Sequence, residues 1–143
     1  MSVLPYSNPD ETEIRRLLMT TKRIAIVGLS PKHDRDSNRI ARYLQEHGYE
    51  IVPVYPREDE ILGRKVYRRV QDVPEPLDLV NVFRRSEDLP AVFDDILAST
   101  APAVWTQLGC VDEEGAARAR EAGRTVVMNR CIMVDHARLL GGD

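Results

Sequence analysis

Several short polar stretches of this 143-residue chain carry the side chains that hold anions. The first is "GLSPKHDRDSN" (28–38), which follows an apolar run and opens a helical pattern. Gly28 permits a tight turn and a close backbone approach there, with Leu29 and Ser30 next in line. A helix start offers unpaired N–H groups to an anion. Ser30, Ser37 and Asn38 add hydrogen-bond donors, while Lys32 and Arg35 bring positive charge. The dinucleotide fingerprint GxGxxG is absent, because Ser30 and His33 stand where its later glycines would be. No Gly-Lys-Ser/Thr follows either, so this is not a P-loop. Two readings stay open: a phosphate-binding loop, or a polar connection in which Ser37 simply caps the helix.

Four further stretches have similar chemistry. "PVYPRE" contains Pro53, Tyr55, Pro56 and Arg57, a proline-walled rim with a cation just beyond it. A domain for NAD normally ends its second strand with an acid for the ribose hydroxyl. Here Glu58 is displaced from that tip, which disfavours NAD. Arg57 suits a ribose phosphate or a solvated surface equally well. "FRRSED" sets Arg84 and Arg85 after Phe83; paired guanidiniums suit phosphate, or pair with Glu87 and Asp88, and Ser86 is placed to cap a helix. "TQLG" offers Gln107 and Gly109. "NRC" brings Asn129, Arg130 and Cys131 to the start of a last helix, where a thiol is either reactive or structural. Trp105 reads as core, and His136, without an acid partner, as a surface or packing residue.

The elements that position these residues alternate. Five apolar, β-branched runs read as strands: 23–28, 50–55, 77–83, 102–107 and 124–129. Helical patterns lie at about 9–20 (Asn8 as cap, Pro9 in the first turn), from Ser37 to near Gly48, at 87–98, at 112–123 and over "CIMVDHARLL". Between Arg57 and Pro76, "ILGRKVY" predicts a short extended excursion and "RRVQDV" a helical turn. Such alternation, with strands apolar throughout, predicts an α/β, Rossmann-like doubly wound parallel sheet of about five strands with helices on both faces. Ligands of such sheets bind beyond the carboxyl ends of the strands, where all five polar stretches fall.

Bulk properties narrow the classes. The chain is 43% hydrophobic and 30% charged, ordinary for a globular domain. A net charge of −3 with interspersed signs argues against a nucleic-acid binder. No apolar run approaches the ~20 residues of a membrane span. The N-terminus lacks the features of an export signal, and two distant cysteines without a CxxC read as reduced thiols, so the expectation is a cytoplasmic protein of one domain over residues 1–143, with its core at about 21–140. Two cysteines and three scattered histidines do not assemble a metal site. No Ser-His-Asp order or carboxylate pair marks a catalytic centre, so no catalytic residue is expected.

Together, "IAIVGLSPKHDRDSNRIARYLQEHGYEIVPVYP", "ILGRKVYRRVQDVP", "DLVNVFRRSEDLP", "VWTQLGCVDEEGAARAREAG" and "VVMNRCIMVDHARL" resemble the small single-domain CoA-binding proteins. Their fold is similar to the N-terminal CoA-binding domain of the succinyl-CoA synthetase α subunit. The resemblance implies coenzyme A or an acyl-CoA as ligand, with Gly28, Leu29, Ser30, Arg35, Ser37 and Asn38 at the phosphates. It implies Pro53, Tyr55, Pro56 and Arg57 near the adenosine 3′-phosphate, with Phe83, Arg84, Arg85, Gln107 and Gly109 on the third and fourth tips. Asn129 and Cys131 fall nearer the pantetheine arm, where Cys131 would be placed for a mixed disulfide with the CoA thiol. Tyr55 departs from the asparagine many relatives carry on this rim. The synthetase's phosphohistidine domain has no counterpart, so its ligase activity does not carry over. The implied role is a carrier, sensor or regulatory module, with an unidentified protein as a further partner. An NADP-dependent oxidoreductase or acyl-CoA-processing enzyme is the alternative.

Overall fold

A computed structural model describes residues 7–141. Helix α1 (Glu11–Thr20) leads into β1 (Arg23–Val27), α2 (Asp36–Glu46) and β2 (Glu50–Val54). A hairpin of two-residue strands follows, β3 (Glu60–Ile61) and β4 (Arg64–Lys65), then a 3-10 turn at Val70–Asp72. The second half runs β5 (Leu79–Val82), α3 (Leu89–Leu97), β6 (Ala103–Thr106), α4 (Glu113–Glu121), β7 (Thr125–Val127) and α5 (Ile132–His136), with a π-helical turn over Ala137–Gly141. The main sheet has the order β2-β1-β5-β6-β7. Every pairing in it is parallel. The predicted doubly wound α/β architecture is therefore what forms.

Alternation along each strand divides the core in two. Ile24, Ile26, Ile51, Leu79 and Trp105 pack with α1, α2 and α5 residues such as Leu18, Leu44 and Ile132. Ala25, Val27, Val52, Val80, Val82 and Val104 face the other way, onto Val92, Phe93 and Ile96 of α3 and Ala116 and Ala119 of α4. Burial of both sheet faces is the main stabilising term and explains why the strands carry so few polar residues. Trp105 is fully buried, as expected, and its indole N–H donates to the Arg130 carbonyl at 2.8 Å. The expected extended excursion is the β3–β4 hairpin, and the expected helical turn is Val70–Asp72.

Three helix starts differ from expectation, each because a tertiary partner takes the side chain. Asp10, not Asn8, caps α1, accepting from the Glu13 N–H at 2.9 Å. Asn8 instead accepts from the Met128 N–H at 2.7 Å and donates to its carbonyl at 2.9 Å, beside the outermost strand β7. Ser37 lies inside the first turn of α2, whose N-cap is Arg35. Ser86 donates to the Gly109 carbonyl and accepts from the Val111 N–H, both at 3.0 Å, so it ties two loops together rather than capping α3. His136 is a packing residue: it is buried, with Nδ1 2.8 Å from the Tyr43 hydroxyl, and burial with the nearby His47 lowers its pKa.

Candidate ligand crevice at the strand ends

β1 continues to β2 on one side, whereas the chain enters β5 on the other, so the connections diverge above β1 and β5. That divergence opens a crevice at the carboxyl edge of the sheet. Gly28 forms its floor. Its φ is +83°, and a Cβ there would come within 2.2 Å of the Phe83 carbonyl oxygen. Only a glycine lets β1 turn this tightly against the end of β5.

The loop beyond Gly28 is held by a chain of bonds. The Ser30 N–H donates to Ser37 Oγ at 3.0 Å, and the Asn38 amide donates to the Ser30 carbonyl at 2.8 Å. Arg42 then donates to Asn38 Oδ1 at 3.0 Å and to the His33 carbonyl at 2.8 Å. Ser37 and Asn38 are buried by this arrangement. The N-cap Arg35 provides no side-chain acceptor, so the first-turn N–H groups of α2 keep their capacity for an anion. Among the described residues, neither Lys32 nor Arg35 makes an ion pair.

The crevice has two lobes that share Gly28, Tyr55 and Arg84. The α2 lobe, about 430 Å³, adds Ser30, Lys32, Arg35, Asp36, Ser37 and Phe83, with the Asp36 carboxylate paired to Arg39 at 3.0 Å. The α3 lobe, about 300 Å³, has an apolar floor of Val27, Val54, Val70 and Val92 beneath Pro56. Arg68, Asp88 and Asp95 edge it. Charges pair along this wall: Arg69 with Asp95 at 2.8 Å, Arg85 with Asp88 at 3.3 Å, and Arg84 with Asp88 at 4.0 Å.

Eight of the residues singled out from sequence therefore line the α2 lobe: Gly28, Ser30, Lys32, Arg35, Ser37, Tyr55, Phe83 and Arg84. Leu29 is fully buried in the core beneath α2, and Pro53 is buried within β2. Arg57 is exposed on the rim after Pro56 and lines neither lobe. Gln107, Gly109, Asn129 and Cys131 form a separate group over β6 and β7. Gln107 is buried there, accepting from the Ile132 N–H at 3.0 Å. Asn129 accepts from the Gly109 N–H at 2.7 Å. Cys131 is half-buried at the start of α5. Arg68 and the α3 wall were not singled out, since they enter from a crossover and from mid-helix; only a cation beside the "KVY" excursion hints at Arg68.

The sequence of residues 22–137 matches the model of a family described as a CoA binding domain. The Bacillus subtilis (strain 168) protein YneT, described as uncharacterized, is 48% identical over 130 residues, covering 91% of this chain and 96% of that protein. A solved structure of a hypothetical protein from Pyrococcus horikoshii OT3 superposes with a TM-score of 0.90 at 38% identity, covering 99% of both chains. The ADP-forming acetate–CoA ligase I subunit alpha of Pyrococcus furiosus is 31% identical over 107 residues, which is 68% of this chain but only 23% of the ligase subunit. The family match begins immediately before β1 and ends immediately after α5, so it takes in the whole sheet and every strand-end loop. On that match, this chain belongs to the CoA-binding domain family.

Proposed function

We propose that the chain, acting as a single domain, binds coenzyme A or an acyl-CoA across this crevice. It serves as a carrier, sensor or regulatory module rather than as a catalyst. The observation that carries the reading is the α2 lobe: a helix N-terminus without a side-chain cap, beside a glycine floor, with Lys32 and Arg35 making no ion pair among the described residues. This is the donor set a pyrophosphate requires. The adenosine then lies over Tyr55 and Pro56 into the apolar α3 lobe, with Arg57 and the ribose phosphate on the rim. The pantetheine arm runs the opposite way, past Phe83 toward Gly109, Asn129 and Cys131. A tyrosine ring on the rim offers an adenine face a stacking surface.

NADP is the competing ligand, because Arg57 suits a 2′-phosphate as well as a 3′-phosphate. Native mass spectrometry with CoA, dephospho-CoA and NADP separates them. The reading expects a CoA adduct that dephospho-CoA displaces weakly and NADP does not. An NADP adduct, or no adduct at high CoA excess, overturns it.

A further inference from the structure

We propose that Arg68 contacts the ribose phosphate of the bound nucleotide, reaching the crevice from outside the strand-end loops; this rests on the coenzyme A reading above. Arg68 lies just beyond the β3–β4 hairpin, next to Tyr67, which extends the outer edge of β2 by a parallel bridge to Val54. Its Nη1 donates to three carbonyl oxygens of the rim: Tyr55 at 3.2 Å, Arg57 at 3.1 Å and Glu58 at 2.8 Å. Glu58 holds a left-handed φ of +65°, and the bond to its carbonyl supports that turn. One nitrogen of the guanidinium is thus committed to the protein, which fixes the whole planar group against the crevice wall.

Among the described residues the other nitrogens make no hydrogen bond. Nη2 forms an ion pair with Asp59 at 3.7 Å, beyond hydrogen-bond distance, and the Asp59 side chain is fully solvated, so a phosphate can take its place. Nε makes no hydrogen bond among the described residues. Arg68 lines the α3 lobe, whereas the three carboxylates edging that lobe pair with other cations, Asp95 with Arg69, and Glu87 and Asp88 with Arg85. An anchored guanidinium with free donors, beside the rim that also bears Arg57, matches the geometry of a phosphomonoester. Its ordering at the rim before any ligand arrives lowers the entropic cost of the contact.

Isothermal titration of wild type, Arg68→Gln and Arg68→Lys with CoA and with dephospho-CoA tests this, with thermal melts confirming that each variant folds. The expected result is a loss of about tenfold or more in CoA affinity for Arg68→Gln and less than about twofold for dephospho-CoA. Arg68→Lys falls between, keeping the charge but not the fork. Equal losses for both ligands would make Arg68 a shaper of the rim only and overturn the proposal. So would an Arg68→Gln variant that keeps the preference for CoA, which leaves the coenzyme A reading standing, or a wild type that binds both ligands equally, which also removes the ribose-phosphate contact from that reading while leaving coenzyme A as the ligand. A wild type that binds no CoA removes both.

Discussion

Replacing Gly28 by alanine separates two costs that the structure predicts independently. The first is backbone strain: an L-residue at φ +83° costs roughly 1–2 kcal/mol relative to glycine, offset by about 0.4–1 kcal/mol from the stiffer unfolded chain. The second is steric. The new Cβ would sit 2.2 Å from the Phe83 carbonyl oxygen, where contacts under 3.0 Å do not occur, so backbone must move by about 1 Å. Phe83 is not free to yield, because its N–H is bonded to the Val27 carbonyl at 2.8 Å. Together these give about 2–4 kcal/mol, a fall in Tm of about 5–15 °C for a chain this size. Gly123 is the matched control, with φ +84° and nothing within 4 Å of its Cβ position. Gly123→Ala carries the strain alone, so the two urea midpoints differ by the steric cost. If the two variants unfold at the same midpoint, the close approach of β1 to Phe83 is not what requires a glycine.

Ser37→Ala removes the acceptor for the Ser30 N–H in a buried setting and is expected to cost about 1–2 kcal/mol in urea unfolding; Ser37→Thr, which keeps the oxygen, recovers part of it. Exchanging both Lys32 and Arg35 for glutamine is expected to lower CoA affinity about 10- to 100-fold and to flatten its dependence on salt, read by titration at two ionic strengths. Burial holds His136 below the ordinary imidazole range, so near pH 6.5 the unfolded chain takes up a proton that the folded chain refuses. Stability should therefore fall as the pH drops from about 6.5 toward the lowered folded pKa and level off beneath it. Urea midpoints between pH 5 and 7 measure the slope, and His136→Gln removes that contribution.

The order of elements was legible because each strand is buried on both faces and so reads as an unbroken apolar run. The crevice was legible for a related reason: in a parallel sheet every strand delivers its carboxyl end to the same edge. Gln107 shows where that logic stops. It stands at a strand tip like Phe83, but its amide oxygen turns to the Ile132 N–H and the Asn81 amide, an orientation set by packing across the sheet. The capping expectations at Asn8, Ser37 and Ser86 stopped at the same point. Local spacing identifies a residue able to cap a helix, yet each found a partner elsewhere, in the case of Asn8 120 residues away. Arg68 was hidden because it arrives from a crossover whose docking against β2 depends on the Val54–Tyr67 bridge.

The Asn8 contact also bears on how this sheet meets other chains. An outermost strand offers a row of backbone donors and acceptors to any strand that drifts alongside it. At Met128 both groups are already occupied by one side-chain amide, which imitates the peptide group a neighbouring strand would bring. A foreign strand must either displace Asn8 or skip that position and lose register. On the opposite margin, Tyr67 takes the corresponding place beside β2 with its own backbone. Among the described residues, a strand fragment thus guards one margin of the sheet and the Asn8 side chain the other, so a strand added beside β7 at Met128 must first break that pair of bonds.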